Sequence, residues 1–231
     1  MLNDALCLQI RPGAGVTIRS TVLIVPPLFD EANRMRRTLV LMMRALGAMG
    51  HAAILPDLPG HNDSMIDNRH IAIPDMRSAL ADWAEHVAAT APVVIASLRG
   101  GALIDDAATT ATGWWRMAPS TGASVVKTLI RTRIAGDKEA GRASTAEMLR
   151  ETARNIVVQL AGYHVSGSLL DDLDQMIPTA VAPLRTVTVG TGPGQVMGTP
   201  LWLRAEPGED AAMAAAMAAD IAAWSTSCAG G

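Results

Sequence analysis

Residues 93–104 read VVIASLRGGALI. The first half is a run of branched and small apolar residues with no polar face. Such a run predicts a strand covered on both sides, as in the middle of a parallel sheet. It meets Gly100 and Gly101, which permit a tight turn, and the apolar stretch 100–111 that follows predicts a helix. A doubly covered strand needs neighbours, and the rest of the chain supplies them. Strand character recurs in LCLQI (6–10), STVLIVPP (20–27), HAAILPDLPG (51–60), GWWRMAP (113–119), LRTVTVG (184–190) and PLWLRA (200–205). Helical patterns lie between them at 29–50, at 76–89 with Asp75 as the expected N-cap, and at 209–224. Strands alternating with helices predict an α/β fold with a doubly wound, mostly parallel sheet. Residues 120–182 break the alternation, with helical segments near 121–134, 144–160 and 166–176, and read as a helical cap insertion. The 231 residues fit a single domain over 1–231.

The turn carries a specific frame. Ser97-Leu98-Arg99-Gly100-Gly101 has small residues flanking a central position, as a nucleophile elbow requires, but Arg99 stands at the tip. Ser97 as nucleophile would put Ile95 and Arg99 at the small positions and leave the hydroxyl at the strand's end. The other members of a Ser-His-Asp set are missing from their expected places. The loop after TVTVG is TGPGQ, without a carboxylate, and no histidine follows His164. A serine without a base is a poor nucleophile, so the residues do not predict a triad.

Composition excludes several alternatives. Net charge is −3, and the Arg34, Arg36, Arg37 cluster is short, so no nucleic-acid footprint is expected. The two cysteines, Cys7 and Cys228, lie near opposite ends without metal-ligand spacing, so neither a metal nor a cofactor is expected. The start has no signal-peptide pattern and no apolar run has membrane-span length. A soluble, cytoplasmic protein without a membrane span is the resulting expectation.

Five segments share a further property. PPLFDEANRMRR (26–37), LPDLPGHNDS (55–64), SLRGGAL (97–103), WRMAPSTGA (115–123) and LAGYHVSGSLLDDL (160–173) together resemble the exosortase A system-associated hydrolase 2 family. The similarity runs from about residue 20 to 180 and weakens after 185. It implies an α/β-hydrolase fold and a setting beside exopolysaccharide and exosortase genes, with a partner in that system. Members of the family carry Gly-Leu-Arg at the elbow, where Ser97 takes the first position here. The family name asserts hydrolysis, but these residues do not imply its mechanism.

An arginine at a helix N-terminus needs a negative partner. Asp30 or Glu31, in the loop after an earlier strand, offers an internal one, with Asn33 nearby. A bound phosphate or carboxylate on Arg99 and the following helix N–H groups is the alternative. The expected ligand residues are therefore Pro27, Glu31, Asn33, Arg99, Gly100 and Tyr163, around a small molecule or anion. A hydrolase without a triad would instead draw on Glu31, His61, Asp63 or His164 to activate water. For His61 and Asp63 the simpler expectation is a loop shaped by Gly60, with Asp63 or Ser64 as a helix cap. Asp57 is expected to stabilise that turn, and His51 and His86 to be structural. Tyr163, the chain's sole tyrosine, is expected to line the pocket or pin the cap.

Overall fold

A computed structural model describes residues 5–229. Seven strands form one sheet: β1 (Cys7–Ile10), β2 (Thr21–Val25), β3 (Ala52–Pro56), β4 (Val93–Leu98), β5 (Gly113–Met117), and later β8 (Leu184–Val189) and β9 (Gln195–Val196). Their order is β1-β3-β2-β4-β5-β8-β9, and only β1 runs antiparallel to its neighbour. The strand order reverses at β2, with β3 on one side and β4 on the other. In doubly wound sheets ligands bind beyond the C-terminal strand ends at such a switch point. Here that crevice lies between the loop after β2 and Arg99 after β4.

The sheet divides the core. On one face α1 (Asp30–Ala48) and α6 (Ala211–Ala229) cover Val22, Ile24, Leu55, Trp115 and Met117. On the other, α2 (Ile73–Ala88) covers Leu23, Val25, Ile54, Ile95 and Trp114. Adjacent Trp114 and Trp115 thus serve opposite faces, as the period of a strand dictates. The insertion comprises α3 (Gly122–Glu139), α4 (Ala146–Asn155), a hairpin of β6 (Val158–Leu160) with β7 (Tyr163–Val165), and α5 (Gly167–Gln175). A Cβ on Gly122 would sit 1.8 Å from the Leu173 carbonyl oxygen, so α3 and α5 cross in backbone contact.

Four sequence expectations are corrected. Residues 100–111 do not form a helix; two short 3-10 turns, Arg99–Leu103 and Asp105–Ala107, take their place. The cause is Asp105, which turns inward. Its carboxylate accepts Arg116 Nε (2.8 Å), Arg116 Nη2 (2.6 Å) and the Ser97 hydroxyl (2.6 Å), while its carbonyl accepts the Trp114 indole N–H. PLWLRA is a 3-10 turn, Leu201–Leu203, rather than a strand. Pro200 before it cannot donate to a ladder, and Arg34 takes the Trp202 carbonyl at 2.8 Å. Helix α2 starts at Ile73 behind Ala72, with Pro74 in its first turn, so Asp75 faces the helix dipole rather than capping it. The expected helix 144–160 ends at Asn155, because Val158–Leu160 pairs with Tyr163–Val165.

Candidate functional site

Arg99 has φ +53°, the left-handed backbone of an elbow tip, although it is an arginine. Gly101 explains why the turn is so tight. A Cβ there would lie 2.5 Å from the Pro26 carbonyl oxygen and 2.6 Å from that of Val25, so only glycine fits. The elbow's backbone is therefore intact and its tip is changed. Ser97 cannot substitute. It is fully buried, and its hydroxyl is spent on Asp105.

Of the two partners open to Arg99, the structure forms the internal one, with Glu31 rather than Asp30. Arg99 Nε donates to Glu31 Oε2 at 3.2 Å and Nη2 to Oε1 at 3.4 Å, while Nη1 donates to the Ala118 carbonyl at 3.1 Å. The guanidinium also lies over the Trp202 ring, 4.9 Å from its centroid. Asp30 and Glu31 form the first turn of α1 rather than a loop, where the helix dipole favours their charge. Asp30 pairs with Arg34, one turn on, at 2.6 Å. Burial pushes the Glu31 carboxyl up from its ordinary range, with the Arg99 charge opposing. The helix N-terminus expected to help Arg99 hold an anion is absent, since a 3-10 turn of five residues follows the tip.

Beside the pair lies a cluster of three rings. Phe29, His61 and Tyr163 have centroids 5.2–5.3 Å apart. His61 is buried and both its nitrogens are engaged. Nε2 accepts the Phe29 backbone N–H at 3.0 Å, which leaves Nδ1 as the donor to the Pro59 carbonyl, also at 3.0 Å. Burial holds its imidazole below the usual range, and hence neutral. In an acyl-transfer site an N–H from the loop where Phe29 lies would help hold the oxyanion. The Phe29 N–H instead serves His61.

The remaining candidates scatter. His164 Nδ1 lies 2.6 Å from Asn68 Oδ1, and Asn68 Nδ2 donates to the Gly162 carbonyl, so this pair docks the hairpin on the 3-10 turn Asn68–His70. Asp57 and Asp63 both accept from Arg36, and Arg37 pairs with Glu209, so each cation of the cluster after Asp30 has its own carboxylate. Ser64 Oγ accepts the Gly60 and Ile66 N–H groups and caps no helix. His51 is buried against Ser20, which also meets Ser225, at the opposite end of the sheet. Among the described residues no group of three His, Cys, Asp or Glu could hold a metal ion, and no helix is long and apolar enough to cross a membrane.

One cavity opens at this edge. It measures about 360 Å3 and is lined by Asp30, Asn33, Gly60, Asn62, Asn68, Ala161, Gly162 and Tyr163. Of the six expected ligand residues it takes Asn33 and Tyr163. Glu31 and Arg99 hold each other, and Pro27 and Gly100 are buried. Asn62, Asn68 and Asp30 were not expected as ligand residues, and Phe29 behind them was not expected at all. The five non-glycine residues with positive φ among those described are Phe29, Asn62, Arg99, Ala118 and Ala161. Each is at the elbow, its partners or this groove. Strained backbone concentrated in one place is a mark of a functional site.

No family model and no curated protein matches the chain. Solved structures do. Est1E from Butyrivibrio proteoclasticus, with ferulic acid bound, superposes with a TM-score of 0.53 at 13% identity. The match covers 74% of this chain and 66% of that one. The fold is that of the α/β-hydrolases. Mouse alpha/beta hydrolase domain-containing protein 10 matches similarly, with a TM-score of 0.51 at 11% identity over 79% of this chain and 71% of its own. At these identities the likeness is one of fold, and this α/β-hydrolase-fold chain spans about two thirds of the length of the first relative.

Proposed function

We propose that this protein is a non-hydrolytic member of the α/β-hydrolase fold, which binds a small molecule at the sheet's C-terminal edge. One observation carries the reading. The elbow tip is Arg99, fastened to Glu31, the Ala118 carbonyl and the Trp202 ring, where a nucleophile would stand. The surroundings agree with it. His61, bonded to the loop after β2, has no free nitrogen, and the Phe29 N–H is occupied. Glu31 is held by Arg99, and Asp63 by Arg36. His164 is tied to Asn68. Glu31, His61 and Asp63 are thus engaged by their partners, and His164, whose Nδ1 donates to Asn68, keeps Nε2 alone.

The resemblance of five segments to the exosortase A system-associated hydrolase 2 proteins supports an accessory role in exopolysaccharide synthesis or export. The ligand would then be a component or partner of that system. The test is direct. Purified protein is assayed on p-nitrophenyl acetate, p-nitrophenyl phosphate and p-nitrophenyl glycosides, with Arg99→Ser alongside. Neither form should exceed the buffer rate, because Arg99→Ser restores a hydroxyl but no base. Turnover by the wild type that disappears in Glu31→Gln or His164→Gln would overturn the reading and establish a hydrolase without a triad.

A further inference from the structure

The groove's lining has a chemical character that narrows its ligand. Four of its eight residues carry polar groups of mixed sense: the amides of Asn33, Asn62 and Asn68, and the Tyr163 hydroxyl. An amide offers both donors and an acceptor, and the phenol adds a donor. Asp30 supplies the one carboxylate. No lysine or arginine lines the cavity. The nearest guanidinium, Arg34, is committed to Asp30 and the Trp202 carbonyl.

Several of these groups lack protein partners. The Tyr163 hydroxyl makes no hydrogen bond to the described residues, although its ring is packed edge-on against Phe29 and tilted against His61. Burial, helped by the Asp30 charge, pushes the phenol up to about 12, so it stays a donor at neutral pH. Asn33 and Asn62 are exposed and their amides are likewise unengaged. Asp30 Oδ2 is buried, close to Arg34 but without a well-aligned N–H. Asn62 and Ala161 hold strained positive φ angles on facing walls, +48° and +50°. The volume falls in the range of small-molecule sites, about 300–1,000 Å3.

Each ligand class can be weighed against that lining. An anion would meet the Asp30 carboxylate and find no cation in the lining, Arg34 being already committed to Asp30 and the Trp202 carbonyl. An apolar ligand would strand unpaired amides and a phenol. A metal ion would find one carboxylate, already facing Arg34. A neutral molecule bearing several hydroxyls fits, because each hydroxyl both donates and accepts, and Asp30 can take a charge-assisted bond. We propose that this groove binds a neutral, hydroxyl-rich small molecule, a sugar ring, between the start of α1 and the cap hairpin. The proposal deepens the binding reading above and rests on it, and it replaces the anion expected at Arg99.

The molecule carries its own reporters. Tyr163 and Phe29 are its sole tyrosine and phenylalanine, and both belong to the ring cluster at the groove. Protein labelled with 13C-tyrosine and 13C-phenylalanine therefore shows one signal set for each. Glucose, mannose, galactose and maltose are titrated against it, with glucose 6-phosphate and glucuronate as charged counterparts. At least one neutral sugar should move the Tyr163 signal saturably, and its charged counterparts should bind at least tenfold more weakly. Asp30→Asn should weaken the sugar tenfold or more and reduce the discrimination against charge. Asn33→Ala, an exposed helix position that folds safely, should weaken it several-fold. No saturable movement with any neutral sugar, or tighter binding of glucose 6-phosphate than of glucose, overturns the proposal. Release of p-nitrophenol from a bound glycoside would instead overturn the non-hydrolytic reading and leave the sugar site standing.

Discussion

Two arginine–carboxylate pairs stand at the same edge of the sheet, and they are built differently. Arg116 on β5 meets Asp105 through bonds of 2.6 and 2.8 Å, and both side chains are at most 4% exposed. Arg99, beyond the end of β4, meets Glu31 at 3.2 and 3.4 Å, with its side chain 18% exposed and its backbone strained. The first pair fills the space beside a shortened connection and determines its path. The second occupies a position that the backbone prepared for another residue. Buried charge is therefore structural in one place and a replacement in the other, although each arginine lies within one residue of a strand's C-terminal end.

The sharpest way to break this contrast is to remove one acid at a time. Asp105→Ala strands the Arg116 charge in the core and should cost about 3–5 kcal/mol in urea unfolding. A loss below that of Glu31→Ala would reverse the ranking. His61→Gln should cost about 1–3 kcal/mol at neutral pH through its two buried hydrogen bonds. It also separates neutral from charged contacts by pH. Burial lowers the His61 proton affinity, so as pH falls below the usual imidazole range the unfolded chain takes up a proton that the fold refuses. Wild-type stability should drop on acidification there, and His61→Gln should flatten the drop, leaving the share of His51, also lowered. Glu31→Ala should cost about 1–2 kcal/mol, because Arg99 keeps water, Ala118 and Trp202 as partners. Arg99→Gly should change stability least, within about 1 kcal/mol, since relief of the positive φ offsets the lost pair. A Tm series across these variants reads all four.

Much of the site was legible where chemistry and sequence proximity coincide. The small-residue frame around Arg99 announced the elbow, and the acidic pair Asp30-Glu31 offered two internal partners, of which the fold uses Glu31. What the chain concealed depended on side chains that leave their local pattern. The stretch 100–111 has helical periodicity, but Asp105 abandons the ladder to meet Arg116 eleven residues on. PLWLRA alternates like a strand, but Trp202 is drawn beneath Arg99 and its carbonyl to Arg34. The strands of the cap hairpin are three residues each, too short for a period to show. The groove itself joins Asp30, Asn62 and Tyr163 from three distant segments, and Phe29 acts through a backbone N–H that no side-chain pattern reports.

The cap has a consequence for exchange with solvent. Leu129, Leu149, Leu160 and Leu170 belong to the same continuous cluster as Leu23, Ile54 and Ile95 on the sheet. The insertion is thus part of one core rather than a flap laid over a finished one. Swinging it aside would break that shared cluster, which α2 also covers, and expose its apolar side chains to water. A molecule in the groove lies against the Asn62 turn and the hairpin tip at Gly162. Its arrival and departure are then governed by diffusion and by the contacts it makes, with no gate to wait for.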